Sequence, residues 1–111
     1  MPKHNNDRLQ GTLDLLVLKI LDRSGAQHGY AIAQRIHQAT SDSLRIEEGS
    51  LYPALQRLEQ KGWIDSSWQT TENNRRAKYY GLTRAGRRAV GDEAASWRRY
   101  VEAVELILQV S

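Results

Sequence analysis

Cysteine is absent from the 111 residues. That excludes a disulfide framework, a zinc–thiolate site and a cysteine nucleophile. No apolar run approaches the roughly 20 residues that a membrane-spanning helix requires. The opening MPKHNNDRLQ is polar and offers no apolar signal region. Internal repeats, low-complexity tracts and linkers are missing too. There is no glycine-rich phosphate loop, and Ser24, Ser41 and Ser43 lack the setting of a nucleophile elbow. The histidines His4, His28 and His37 have no carboxylate at metal-ligand spacing. His28 reads instead as shaping the turn into a helix. The expectation is a soluble, cytoplasmic protein, not an enzyme, with no catalytic residue, metal or cofactor. Its length suits one small folding unit, which an extra interface would help to stabilise.

What is present is unevenly distributed charge. The net charge is only +3. Yet residues 72–90 hold Arg75, Arg76, Lys78, Arg84, Arg87 and Arg88 against Glu72 alone. The remaining basic and acidic residues nearly balance. A local basic segment fits an anionic partner. It also fits a solvated charged surface, and charge alone does not separate the two.

Hydrophobic spacing predicts the elements. Residues 9–22, LQGTLDLLVLKILD, are interrupted only by Asp14 and Lys19, so they predict a helix buried on more than one face. SGAQHG is a turn. Residues 29–39 predict a second helix with Tyr30, Ala33 and Ile36 inward. TSDS breaks the chain, and LRI at 44–46, too short to classify well, reads as a single β-bridge. A third helix starts between Glu48 and Ser50, with Ser50 as N-cap and Pro53 in the first turn, and Gly62 ends it. Residues 63–68 and 77–82 predict strands of a hairpin with a long polar tip. Thr83 caps a last helix.

Two helices, a third helix and a hairpin in that order make a winged helix-turn-helix, mainly α with a small β-hairpin. At about 100° per residue, Leu51, Leu55 and Leu58 form the buried stripe of the third helix. Gly49, Ser50, Pro53, Gln56, Arg57 and Gln60 then face outward, with Tyr52 on the margin. Small residues at the helix head allow close approach to DNA, and the N-terminal amides favour phosphate. Arg75, Arg76 and Lys78 would supply much of the phosphate affinity, with Lys3 and Arg8 as additions.

GSLYPALQRLEQKGWI and NNRRAKYYGLTRAGRR resemble the PadR family of bacterial transcriptional regulators. GTLDLLVLKIL and HGYAIAQRI match the same family in order and spacing. The resemblance spans about residues 8–108, and four motifs in register make it specific. It implies a DNA-binding winged helix, a C-terminal dimerisation helix and, given the short last helix, the compact subfamily. It further implies a repressor, released in many members by a small molecule. Tyr52 becomes a DNA contact by this resemblance, although a tyrosine there would also cover the edge of the core.

In the last helix Val90, Ala94, Trp97, Val101, Val104 and Leu108 alternate steps of four and three. This is a heptad seam of about three repeats. The alternative is a stripe that packs back on its own domain. The expected homodimer pairs this seam with Leu9, Leu13 and Leu16 of the first helix, on a near-palindromic operator in double-stranded DNA. Residues 1–82 would be the DNA-binding domain and 83–111 the dimerisation helix. The resemblance places the ligand pocket of drug-sensing members at Trp97, where a planar apolar inducer could stack; plain packing accounts for the residue equally well. A protein-interaction module and a nonspecific architectural DNA binder are the competing functions.

Overall fold

The structure, a computed structural model, describes the backbone of residues 4–110 and the side chains of residues 11–110. Lys3, and the side chains of Arg8 and Leu9, lie outside the described residues. The elements are α1 (His4–Ser24), β1 (Gln27–His28), α2 (Gly29–Ala39), α3 (Glu48–Gln60), β2 (Ile64–Thr70), β3 (Arg76–Leu82) and α4 (Arg84–Leu108). Three helices and an antiparallel sheet of order β1-β3-β2 give the winged helix-turn-helix, and α4 extends from it. Among the described residues, no helix is long and apolar enough to cross a membrane.

One core joins all the layers. Val17, Leu18, Ile20 and Leu21 from α1 meet Ile32 and Ile36 from α2 and Leu51, Leu55 and Leu58 from α3. Ile64, Tyr80, Ala89 and Val90 close it from the sheet and α4. Each fully buried leucine or isoleucine contributes about 1.5–3 kcal/mol by leaving water. The expected leucine stripe of α3 is therefore the stripe observed.

The end of α3 follows from its sequence. Gly62 adopts φ +78°, its N–H donates to the Glu59 carbonyl at 3.0 Å, and the Trp63 N–H donates to the Leu58 carbonyl at 3.1 Å. This paired closure needs the left-handed conformation that glycine adopts without strain. Thr83 caps α4 as expected: its Oγ1 accepts from the Gly86 N–H at 3.0 Å and donates to the Gly62 carbonyl at 2.7 Å. One threonine thus starts α4 and ties it to the end of α3.

α3 begins at Glu48, within the expected range, but its cap differs from expectation. Ser50 is not the N-cap; Glu47 is, without a side-chain bond, and Pro53 lies inside the helix. Proline has no N–H for the Gly49 carbonyl. Gly49 and Pro53 are both exposed, so water can reach that end of the ladder.

Four more expectations are corrected. Tyr30 is not inward; Gly29, Ile32 and Ile36 are buried. The two isoleucines, one turn apart, set the helix phase and leave Tyr30 on the opposite side. The SGAQHG turn contains β1, whose Gln27 and His28 pair with Tyr80 and Tyr79. Residues 44–46 form no bridge. The hairpin strands also run further into the polar segment, to Thr70 and from Arg76, so the tip is short.

Candidate nucleic-acid interface

The head of α2 is built by three consecutive residues. The His28 Nδ1 accepts from the Ala31 N–H at 3.3 Å, capping the helix, and its ring meets Tyr79 edge-on at 5.5 Å. Gly29 follows with no side chain, and the Tyr52 hydroxyl and ring edge lie 2.9 and 3.0 Å from where a Cβ would stand. Tyr30 then turns outward, its hydroxyl accepting from Gln34 Nε2 at 3.1 Å.

On α3, Ser50, Tyr52, Pro53 and Gln56 are exposed, as expected. Tyr52 is 44% exposed and spans the margin between core and surface. Arg57 does not face outward. Its Nη2 lies 2.8 Å from Oδ1 of Asp14, a buried carboxylate of α1. The Arg57 Nε is buried with no hydrogen-bond partner among the described residues. An acid inside an apolar helix requires a cation, and Arg57 is committed to it.

The wing is fastened to α3 through Glu59. Ser66 Oγ donates to Glu59 Oε2 at 2.6 Å, and Lys78 Nζ lies 3.9 Å from Glu59 Oε1. At the tip the Thr71 N–H donates to the Arg75 carbonyl at 2.6 Å, and Asn74 takes φ 63°. Asparagine tolerates this conformation better than most residues. Arg75 and Arg76 beside it form no ion pair among the described residues.

These parts enclose one cleft of about 690 Å³ between the helix heads and the wing. Tyr30 and Tyr52 line one wall; Trp68, Arg75, Arg76 and Lys78 line the other. Tyr80 lies at its base, where burial, then Glu59, then Tyr52 push its phenol above the ordinary value of 10.0. Its phenol therefore stays protonated and uncharged while the wall above it is cationic. Among the expected DNA-contact residues, the cleft gathers Tyr52, Arg75, Arg76 and Lys78. Ser50, Pro53 and Gln56 lie on the exposed side of α3, and Arg57 is withdrawn. Tyr30, Trp68 and Glu59 were not anticipated. Gly29 in HGY was the available signal, because a glycine opening a helix implies a neighbour at close range.

The residues expected at a dimer interface divide. Val90 is not available to a partner, since it belongs to the core of its own chain. Leu13 and Leu16 are half-buried against that core. Ala94, Trp97 and Val101 are half-buried, and Val104 and Leu108 are exposed. The Trp97 and Tyr100 rings lie 6.0 Å apart at 33°. The seam thus packs inward at its head and is open beyond it.

Residues 17–92 match the family described as Transcriptional regulator PadR-like. A transcriptional regulator from Clostridium thermocellum superposes with a TM-score of 0.82 at 28% identity, covering 93% of this chain and 99% of the other. A PadR family transcriptional regulator from Eggerthella lenta gives 0.75 at 30% identity, covering 94% and 88%. One from Clostridium difficile gives 0.71 at 31%, covering 86% and 97%.

Proposed function

This chain belongs to the PadR-like family of transcriptional regulators, and from that premise we propose that it is a repressor binding a near-palindromic operator as a homodimer. The DNA-binding role comes with the family. The observation that carries the finer reading is the common cleft: Tyr52 of α3 and the wing cations Arg75 and Arg76, which form no ion pair among the described residues, line the same space. In this reading Ser50, Tyr52 and Gln56 approach base edges in the major groove, with Pro53 keeping the helix head narrow. Arg75, Arg76 and Lys78 neutralise flanking phosphate.

Residues 1–82 act as the DNA-binding unit and 83–111 as the dimerisation helix, whose head is anchored in the body through Gly86, Ala89 and Val90. Trp97, Val101, Val104 and Leu108 meet a second copy, together with Leu13 and Leu16. Two-fold pairing would set the two α3 helices roughly 34 Å apart, one DNA turn. A planar apolar inducer stacking on Trp97 would release DNA by favouring a dimer with another spacing.

The test is binding to the promoter upstream of the protein's own gene, measured at several salt concentrations beside sedimentation of the free protein. Tight, salt-sensitive binding to an inverted repeat by a dimer is expected. Salt-insensitive binding to a protein partner without DNA affinity overturns the reading in favour of an interaction module. Equal affinity for all duplexes leaves an architectural binder, and a monomer at micromolar concentration removes the dimer. Trp97→Ala should weaken the dimer or the inducer response while each winged helix stays folded.

A further inference from the structure

Trp68 is the largest side chain of the wing that the reading above leaves unused. It lies on β2, is 59% exposed and is not part of the core cluster. Its Cα partner on β3 is Lys78, and the Arg76 guanidinium carbon stands 5.7 Å from its ring centre. Ser66, two residues earlier on the same face, bonds to Glu59 of α3, so this face looks toward the recognition helix. Trp68 therefore stands in the cleft wall opposite Tyr52, among Arg75, Arg76 and Lys78. A broad apolar ring exposed there gains little from the fold.

We infer that Trp68 is a DNA-contact residue whose ring packs against a deoxyribose of the strand the wing follows, while Arg76 holds the neighbouring phosphate. The inference rests on the DNA-binding reading. The placement follows from the cation–ring contact: an Arg76 that reaches phosphate carries the ring with it, and the group next to a phosphate along the strand is a sugar. A sugar is the same in every nucleotide, so the contact adds affinity without sequence preference. The ring is uncharged, so it releases no counterion.

This gives Trp68 a signature unlike that of the cations beside it. Labelled duplexes carrying the promoter sequence, or a scrambled sequence of equal length, are titrated with wild type, Trp68→Phe and Trp68→Ala at several salt concentrations. Trp68→Ala should weaken binding to both duplexes about tenfold. The slope of log affinity against log salt should stay unchanged, and Trp68→Phe should retain most of the affinity. DNA should also change tryptophan emission in wild type and do so much less in Trp68→Phe. Should Trp68→Ala melt early, this emission difference decides alone, because Trp68→Phe preserves the ring that packs on the hairpin. Equal affinity of Trp68→Ala and wild type overturns the inference, as does equal emission change in wild type and Trp68→Phe. A loss confined to the promoter duplex overturns it in favour of base reading. A flattened slope overturns it by showing that Trp68 acts only through Arg76. If wild type binds neither duplex, the DNA reading itself falls.

Discussion

Tyr52 lies directly over Gly29. A Cβ built on residue 29 would stand 2.9 Å from the Tyr52 hydroxyl and 3.0 Å from the edge of its ring. The obstacle is the far end of a side chain, so the ring can yield. Gly29→Ala should therefore leave the melting temperature within a few degrees of wild type while displacing Tyr52. Affinity for the promoter site should fall about five- to tenfold, and Tyr52→Ala should lose a similar factor. Titration of promoter and scrambled DNA with both variants checks this. Full affinity in Gly29→Ala would show that Tyr52 covers the core edge and nothing more.

The wing cations predict a salt effect. Arg75→Ala combined with Arg76→Ala should weaken binding to all duplexes alike and reduce the salt slope by about two. A slope equal to wild type would remove the wing tip from the interface.

Asp14 and Arg57 predict a stability effect without a direct DNA effect. Asp14→Ala strands the Arg57 guanidinium, which water reaches only in part, and should cost ~2–3 kcal/mol in urea unfolding. Replacing both residues, as Asp14→Ala with Arg57→Met, should recover most of that loss. If Asp14→Ala unfolds like wild type, the pair is energetically idle.

Tyr80 predicts an alkaline effect. Its folded pKa is raised above 10.0 by burial, then by Glu59 and Tyr52. The folded chain therefore keeps the proton where the unfolded chain releases it. The associated stability is complete below pH 10 and is lost as pH climbs through the raised folded value. Melting followed from about pH 9 to about pH 11 should fall less steeply in Tyr80→Phe. Parallel curves would show that Tyr80 does not govern the loss.

The legible parts of this fold are those whose cause is local. Leu51, Leu55 and Leu58 declare a helix face by spacing, Gly62 its end and Thr83 the next beginning. Asp14 was visible as an anomaly in an apolar helix, but its partner Arg57 lies 43 residues away, and no spacing rule connects them. β1 is hidden for a similar reason. Two residues carry no periodicity, and Gln27 and His28 become a strand only because Tyr79 and Tyr80 offer an edge. Tyr30 was misplaced because tyrosine counts as apolar in a stripe, whereas Ile32 and Ile36 alone set the helix phase. In the candidate site the charges could be read from composition. The aromatic rings gathered around them could not, because Tyr30, Tyr52 and Trp68 come from α2, α3 and β2.

Gly86 gives α4 a fulcrum. A Cβ there would collide with the carbonyl oxygen of Trp63, so the helix backbone rests directly on the residue that follows the Gly62 turn. From that bearing α4 runs to Leu108, and residues 102–110 are all exposed. At 1.5 Å per residue the helix is about 37 Å long, so a tilt of about 5° at the bearing sweeps its far end through ~3 Å. Read in reverse, a displacement of several ångströms at the free end reaches the end of α3 as a rotation of a few degrees with very little travel. The glycine makes that joint tight: no side chain intervenes to cushion the motion, and a methyl group at residue 86 would lift the lever off its support.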